Sequence, residues 1–321
     1  MVLRMRPLAW GILILPLGSA LAADPGDQKE AAPAQLGQVM VTAKGYAADA
    51  LQTPASTVVV ERDELQRRNA ANVGEALRGT PGLAVASDSA QGQNPVVRGL
   101  AKERIVLLVD GMRLNSAQPA GAIGSFMSLG LAQRVEVVKG PVSVLYGSGA
   151  LGGAINVLLP QARFDTGLSA DLGASYDSAS EGVRGTGVFN FGGGDHALML
   201  GASVARIDDY RSPEGRVDNT GYDSDSFIGQ YRFRIDAQQQ LRFSLQEHSD
   251  SDVWYPGSAK PHPNPNVVST VIHSPRQTRS LAELGYSLTG SGEAPLNLDL
   301  RVYRQEMERR SSPGPPACSA I

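Results

Sequence analysis

The chain has 321 residues, 42% of them hydrophobic, and a net charge of −3 from 29 basic and 32 acidic residues. The hydrophobic fraction excludes a disordered chain, the single cysteine excludes a disulfide scaffold, and the slightly acidic balance excludes a typical nucleic-acid-binding protein. The 36 glycines favour a strand-rich and turn-rich protein, because glycine is unfavourable inside helices.

Residues 1–23 are predicted to be a secretory signal peptide. Arg4 and Arg6 precede an apolar run at residues 8–17, which is shorter than the roughly 20 apolar residues of a transmembrane helix. The small residues within 18–23 suit cleavage at the end of this segment. No later segment is apolar and long enough for a membrane-spanning helix, so we expect any further membrane crossing to use β-strands.

Residues 24–53 are predicted to be a flexible leader that contains one short strand. The leader is polar and includes prolines, so it cannot bury enough apolar surface to fold alone. The hexapeptide 38–43 (QVMVTA) is β-prone and has no partner within the leader. Two interpretations stay open: the hexapeptide adds to the edge of another protein's sheet, or it pairs with the domain behind it.

Residues 54–160 are predicted to form a small α+β domain. A capping box at Asn72–Glu75 opens a helix that ends near Gly79, and Asp110-Gly111 after an apolar run indicates a tight turn. A second short helix is expected at Asp63–Asn69. The predicted strands are Thr57–Glu61, Leu83–Ala86, Val96–Arg98, Ile105–Asp110, Val135–Lys139 and Ala154–Leu158.

Residues 165–310 change to a two-residue alternation of apolar and polar side chains, in seven segments. Each segment is taken to be about the 9 to 11 residues that a tilted strand needs to cross a bilayer, and the third alternates least clearly. The predicted strands are 168–177, 183–191, 197–207, 226–236, 241–246, 278–288 and 296–302.

The connections between these segments alternate in length. They are short after the second, fourth and sixth segments, and long after the third (Asp208–Ser224) and the fifth (Ser249–Arg276). Short turns on one side and long loops on the other are typical of a bacterial outer-membrane β-barrel. A soluble β-sandwich has no reason to sort its loops in this way, so the barrel is favoured.

Residues 311–321 are predicted to be an irregular tail. They lose the alternation and contain three prolines and the only cysteine, Cys318. Seven strands leave two unpaired edges, and even small outer-membrane barrels need about eight strands. We therefore expect a truncated or frameshifted product that is inactive in transport by itself.

Several motifs in residues 38–157 closely resemble the plug of TonB-dependent outer-membrane receptors. They are QVMVTA (38–43), NVGEALRGTPGL (72–83), NPVVRGL (94–100), IVLLVDGMRLN (105–115) and RVEVVKGPVSVLYGSGALGGAINV (134–157). The resemblance implies an α+β plug inside an antiparallel transmembrane β-barrel of about 22 strands. It also implies that ligand binds on the extracellular side and that periplasmic TonB pulls on the N-terminal box.

The resemblance assigns roles to two sets of residues. The box that binds TonB would consist of Gln38, Val39, Met40, Val41, Thr42 and Ala43, with Met40 where the family more usually has a valine. The plug motif would consist of Arg98, Gly99, Asp110, Gly111, Arg134, Glu136, Gly140, Pro141, Tyr146, Gly147, Gly149, Gly152 and Gly153.

Gly147–Gly152 (GSGALG) also matches the spacing of a dinucleotide-binding turn, which would indicate an NAD-dependent enzyme. That fingerprint needs a following helix, whereas residues 154–158 are predicted to be a strand. We therefore interpret these glycines as plug positions that need sharp turns and close approach.

No catalytic or resident metal site is predicted, since the four histidines lack metal-ligand spacing. Contact with haem or a ferric ligand is conceivable for Trp254, Tyr255, His262 and His273, which lie in or beside the predicted loop 249–276. Arg232, Arg234, Arg242 and Arg301 would face the lumen. They could attract an anionic chelate, but pairing with plug carboxylates such as Glu103 or Glu136 is favoured.

These expectations combine into a receptor in the outer membrane of a Gram-negative bacterium, for TonB-dependent uptake of a ferric siderophore or haem. Its expected partners are TonB, outer-membrane lipid and a small metal chelate, with no cofactor of its own. One alternative changes the cargo to cobalamin or another metal complex. A second, from another class, is an outer-membrane binding or adhesion protein without transport.

Overall fold

A computed structural model describes residues 39–40, 48–49, 56–87, 89–114, 123–256, 270–290 and 296–316. All of them belong to one compact unit, Gly37–Ile321. The predicted signal peptide, residues 1–23, lies outside the described residues. None of the described helices is both long and apolar enough to cross a membrane.

Two short strands, β1 (Val39–Met40) and β2 (Ala48–Asp49), precede an α+β domain that begins at Ser56 and that we call the plug. Its elements are β3 (Ser56–Glu61), α1 (Arg62–Arg67), α2 (Val73–Leu77), β4 (Leu83–Ser87), β5 (Gln93–Val97), β6 (Leu100–Ala101), β7 (Ile105–Val109), β8 (Met112–Arg113), β9 (Arg134–Lys139), α3 (Ser143–Tyr146) and β10 (Gly153–Leu158). Two 3-10 helices are also described, at Lys102–Arg104 and Ile123–Phe126.

The plug contains a five-stranded sheet in the order β3-β9-β10-β7-β8 and a three-stranded sheet in the order β4-β5-β6. β10 and β7 pair in parallel, and the other neighbours are antiparallel. All five residues of β7 (IVLLV) are buried, as expected for a continuous apolar strand in the centre of a domain. The plug strands and helices predicted from the sequence are thereby confirmed to within a few residues.

The predicted capping box is confirmed at the start of α2. Asn72 Oδ1 accepts a hydrogen bond of 3.0 Å from the Glu75 amide, and Glu75 Oε2 accepts one of 2.8 Å from the Ala71 amide. The first contact satisfies an amide that the first turn of a helix leaves unpaired, and the second holds the residue before the N-cap instead of the Asn72 amide.

Seven antiparallel strands follow the plug and form one sheet, which we call the wall sheet. In chain order and in space they are β11 (Gly167–Asp177), β12 (Gly182–Gly193), β13 (His196–Ile207), β16 (Tyr222–Arg234), β17 (Gln239–Tyr255), β18 (Thr270–Thr289) and β19 (Asn297–Pro316). A two-residue hairpin, β14 (Arg211–Ser212) with β15 (Gly215–Arg216), lies between β13 and β16. The predicted fold class, an α+β plug followed by antiparallel strands, is confirmed, and the sheet is open with β11 and β19 at its edges.

The two ends of the wall sheet carry different connections. One end, the turn end, has links at 194–195, 235–238 and 290–296. The other end, the loop end, has links at 178–181, 208–221 and 256–269. The predicted sorting of short and long connections therefore holds, apart from the short first link at the loop end.

The predicted loop Ser249–Arg276 is wrong at both of its ends, because β17 continues to Tyr255 and β18 begins at Thr270. The pairing runs from Ser251 with Arg276 to Val253 with Ser274, and omits Asp252. Asp252 has a φ of +58°, and buried side chains switch there from even to odd positions. This switch interrupts the alternation on which the sequence prediction relied.

The predicted irregular tail is wrong for residues 311–316, which continue β19, while 317–321 lie outside the described residues. The pairing there is irregular: Ile272 lies opposite Pro313 and Thr270 opposite Pro316, with register shifts between them. Prolines are tolerated here because β19 is an edge strand, in which one side of the backbone needs no ladder partner.

The inner face of the wall sheet packs against the plug. Val188, Met199 and Ile228 of the wall are at most 2% exposed and share one hydrophobic core with plug residues such as Leu129 and Leu131. These inward apolar residues explain the weak alternation of the third predicted segment. On the outer face apolar side chains are exposed, for example Leu168 and Leu172, as in strands that face lipid.

Candidate functional site

The first described residues of the predicted TonB box lie in a short antiparallel ladder. Val39 pairs with Asp49 and Met40 with Ala48 in an antiparallel ladder, whereas Gln38, Val41, Thr42 and Ala43 lie outside the described residues. Neither of the two open interpretations included this pairing within the leader. A two-residue ladder is marginally stable in water, so its strands can exchange partners at low cost.

Two of the predicted plug-motif pairs form tight turns. Asp110 (φ +50°) and Gly111 (φ +81°) connect β7 to β8, and Arg98 (φ +50°) and Gly99 (φ +80°) connect β5 to β6. Positive φ at both central residues defines the two-residue hairpin turn that suits the twist of the flanking strands. The aspartate–glycine turn predicted from the sequence is therefore confirmed.

The glycine-rich segment of the plug folds back on itself. The Gly140 amide donates to Gly152 O at 2.8 Å, and the Val142 amide donates to Ala150 O at 2.9 Å. Helix α3 precedes the GSGALG motif, and strand β10 follows it. A dinucleotide-binding turn needs a helix after its glycines, so this geometry is that of a plug turn.

Arg134 and Glu136 lie two residues apart on β9 and therefore share one face of the plug sheet. Arg134 Nη2 and Glu136 Oε1 form an ion pair of 2.7 Å, and Glu136 is fully buried. This pair stabilises the plug from within.

The Asp110-Gly111 turn also contacts the wall sheet. Asp110 Oδ1 accepts from the Leu159 amide at 2.9 Å, and Oδ2 accepts from Gln246 Nε2 of β17 at 3.2 Å. Arg301 of β19 donates to the Asp110 carbonyl at 3.0 Å. Burial raises the pKa of the Asp110 carboxyl above its ordinary value.

A second polar contact lies towards the loop end, and we call it the loop-end cluster (Gln91, His248, Asp250, Gln277 and Arg309). Asp250 Oδ2 accepts from Gln91 of the plug at 2.6 Å and from Gln277 at 2.9 Å, and lies 3.2 Å from His248 Nε2. Asp250 has no exposed surface. A buried carboxylate is costly unless such donors surround it, so the cluster positions plug and wall relative to each other.

Arg309 of β19 extends this cluster to a second part of the plug. Its Nη2 donates to Ser125 Oγ at 2.7 Å, and its guanidinium lies 5.0 Å from the centre of the Phe126 ring. Its Nε donates to Gln277 Oε1 at 3.1 Å. Because one side chain contacts both plug and wall, a plug movement at this point must break charge-assisted hydrogen bonds.

Of the residues proposed from the sequence for ligand contact, the structure brings Trp254 and His273 together but not Tyr255. Trp254 and His273 stack with ring centres 4.0 Å apart, and His273 Nε2 lies 2.7 Å from Asp252. Tyr255 is only 5% exposed, and its hydroxyl donates to Gln277 of the loop-end cluster. Alternation along β17 places Trp254 on the opposite face, and His262 lies outside the described residues.

The favoured pairing of wall arginines with Glu103 or Glu136 is wrong for two of them. Arg242 forms an ion pair with Glu283, and Arg301 forms one of 2.6 Å with Asp299, so both use carboxylates of the wall itself. Asp299 and Arg301 share one face of β19, and Arg242 and Glu283 lie on neighbouring strands, so each pair meets within the wall sheet and needs no plug residue.

Sequence reasoning missed the loop-end cluster as a whole. Gln91 lies in the connection between β4 and β5 of the plug. Asp250 lay within the predicted loop 249–276, and Gln277 lay between that loop and the predicted strand 278–288. The only sequence signal for this cluster was the row of polar residues on the inner face of the wall strands, because buried polar groups need hydrogen-bond partners. Which plug residue would meet them is not encoded by any local pattern.

A model of the family described as the TonB-dependent receptor plug domain matches residues 49–154. The chain is 33% identical over 196 residues to the vitamin B12 transporter BtuB of Vibrio vulnificus strain CMCP6, a match that covers 60% of this chain and 32% of the transporter. It is 29% identical over 332 residues to the hemin receptor of Yersinia enterocolitica, covering 97% of this chain and 45% of the receptor.

Solved structures share the fold. The copper transporter OprC matches with a TM-score of 0.64 at 18% identity, over 79% of this chain and 37% of OprC. The FrpB iron transporter of Neisseria meningitidis also matches with a TM-score of 0.64 at 18% identity, over 79% of this chain and 41% of FrpB. The chain thus spans less than half the length of the relatives and structures that it matches here.

Proposed function

We propose, from the premise that residues 49–154 are a TonB-dependent receptor plug domain, that this chain supplies the plug and part of the wall of an outer-membrane receptor. The receptor takes up a ferric siderophore or haem from the medium, and TonB provides the energy. The observation that carries the proposal is a plug of this family that polar contacts hold against the inner face of a sheet whose outer face is apolar.

The polar nature of the plug contacts supports movement of the plug. Gln91, Asp110 and Ser125 contact the wall through hydrogen bonds, and water can replace such bonds when the groups separate. Apolar residues that the plug and the wall share, such as Leu131 and Ile228, would also be exposed to water when the plug moves, which costs free energy. A pull transmitted through the box would supply the energy that this movement needs.

Uptake by cells that express the receptor with this plug and wall tests the proposal. Val41→Pro removes a backbone donor from the box and is expected to abolish energy-dependent uptake while leaving ligand binding at the surface intact. Ala31→Pro, in the polar leader before the box, is the matched control and should leave uptake unchanged. High-affinity uptake that survives Val41→Pro would contradict the mechanism.

The names of two relatives favour cobalamin as a second candidate for the transported ligand, beside haem. One relative is named for hemin and another for vitamin B12, so haem and cobalamin are both supported as cargo. Growth on a panel of ferric siderophores, haem and cobalamin separates these ligands. If an uncoupler of the proton gradient leaves the protein's activity unchanged, an adhesion protein without transport becomes the better explanation.

A further inference from the structure

A large cavity lies between the plug and the turn end of the wall sheet. Its volume is about 1720 Å³, above the range of roughly 300 to 1,000 Å³ that is usual for small-molecule pockets. Six arginines line it, namely Arg62, Arg134, Arg163, Arg232, Arg242 and Arg301. The carboxylates of Glu61, Asp63, Asp110 and Asp299 line it as well.

Three of the six arginines form ion pairs with carboxylates, as described for Arg134, Arg242 and Arg301. The other three have only uncharged partners among the described residues. Arg232 donates to Ala162 O at 2.9 Å and to Gln240 Oε1 at 2.6 Å, and Arg163 donates to Ser169 Oγ at 3.4 Å. Three acidic residues at the cavity form no ion pair within the described part of the chain: Glu61 and Asp63 are exposed beside Arg62, and the Asp110 carboxylate accepts only from the Leu159 amide and Gln246.

Without a bound ligand, the surroundings of Arg232 are electrostatically unfavourable. Arg232 lies directly opposite Arg242 in the β16–β17 ladder, and like charges in that position repel each other. Its other charged neighbour is Arg234, whose guanidinium lies 4.3 Å from the centre of the Phe164 ring. A negatively charged ligand beside Arg232 would offset this repulsion.

We propose that this cavity binds a small oxyanion, a polycarboxylate or a phosphate, through Arg232 and Arg163. Guanidinium groups present forked donors that match carboxylate and phosphate oxygens. The cavity faces the plug, on the side of the wall sheet opposite the exposed Tyr231 and Phe243, so the ligand is a solute and not a lipid headgroup.

The position of the cavity suggests its use. Short turns mark the periplasmic side of an outer-membrane barrel, so the site lies where an imported solute would leave the plug. This use rests on the proposed function, and it makes the site a resting point for an anionic chelate before release. The binding itself requires neither TonB nor transport.

The test is binding of citrate and inorganic phosphate to the purified full chain in detergent micelles, by calorimetry and equilibrium dialysis. Saturable binding that weakens with added salt is expected. Arg232→Gln should weaken it roughly tenfold, and Arg232→Lys less, because lysine keeps the charge but loses the fork. Arg216→Gln, which removes an exposed loop arginine paired with Asp209, is the matched control and should have no effect.

Three outcomes would overturn the proposal: no binding of either anion, equal binding by Arg232→Gln and the unaltered chain, or equal weakening by Arg232→Gln and Arg216→Gln. A further arm compares nanodiscs with phosphatidylglycerol and with phosphatidylcholine. Binding that appears only with phosphatidylglycerol would assign the arginines to a lipid headgroup and overturn the solute site. Each outcome is independent of uptake, so failure here leaves the transport proposal standing, and loss of uptake leaves the anion site standing.

Discussion

Gln91 of the plug donates a hydrogen bond of 2.6 Å to Asp250 of the wall, although 159 residues separate them in the chain. Asp250 accepts a second hydrogen bond from Gln277, on the neighbouring wall strand. Two parts of the protein that are distant in sequence therefore depend on one buried carboxylate. The contact fixes where the plug lies against the wall, and it must break if the plug moves.

Replacing Gln91 should weaken the docking of the plug. Gln91→Ala removes the donor to Asp250 and a second bond of 2.9 Å to Ser125 O. We expect a loss of about 1–3 kcal/mol in the free energy of unfolding, because a buried charged group loses part of its solvation. Urea denaturation in micelles measures this loss. Gln66→Ala, at an exposed position of α1, is the control, and an equal effect of both changes would contradict the role of Gln91.

Gly153 is expected to tolerate no side chain. It has a φ of +149°, and a Cβ atom there would lie 2.1 Å from the Val138 carbonyl oxygen of the paired strand β9. Gly153→Ala should therefore destabilise the plug by about 3 kcal/mol or more and accelerate hydrogen exchange in β9 and β10. Gly193→Ala is the matched control, since nothing lies within 4 Å of its Cβ position. Exchange as slow as in the unaltered protein would show that the paired strands accommodate the added Cβ and would contradict this prediction.

Asp110 should make the stability of the plug depend on pH. Burial raises the pKa of its carboxyl in the folded state above the value of 3.8 that serves as the unfolded reference. The charged form is therefore costly when folded, and this cost is relieved as the pH falls through the raised pKa towards 3.8. Asp110→Asn cannot ionise, so its stability relative to the unaltered protein should be higher at about pH 7 than at a pH near the unfolded reference of 3.8. Urea midpoints at both values measure the difference, and an identical difference at both would refute the explanation.

Asp209 should have the opposite dependence on pH in the loop-end link 208–221. Burial would raise the pKa of its carboxyl, but hydrogen bonds from the Gly221 and Thr220 amides and from Arg216 outweigh burial and lower it. The stabilisation is thus present above the ordinary value of 3.8 and is lost as the pH falls through the lowered folded pKa.

A substitution at Asp209 tests the same contacts at neutral pH. We expect Asp209→Asn to accelerate amide exchange at Thr220 and Gly221 roughly tenfold, because it removes charge-assisted acceptors. Asp218→Asn, at an exposed position of the same link, is the control. Similar exchange rates in the two variants would mean that Asp209 does not order the link.

Local patterns determined much of this protein. The capping residue Asn72, the Asp110-Gly111 turn and the two-residue alternation after residue 165 each follow from interactions between residues close in sequence. A helix cap, a tight turn and the side chains of a strand depend on their immediate neighbours, so the amino-acid sequence alone predicted the plug and the seven wall strands.

Only the tertiary structure decided which residues meet. The turn at Asp110 contacts Gln246, Gln91 contacts Asp250, and Arg232 lies opposite Arg242 without a carboxylate partner. It also decided that Asp252 interrupts the alternation and places Tyr255 and Trp254 on opposite faces. These outcomes depend on how the plug is seated against the inner face of the wall sheet and on strand register. No local pattern encodes them, because the groups involved lie far apart in the chain and meet only when both parts have folded.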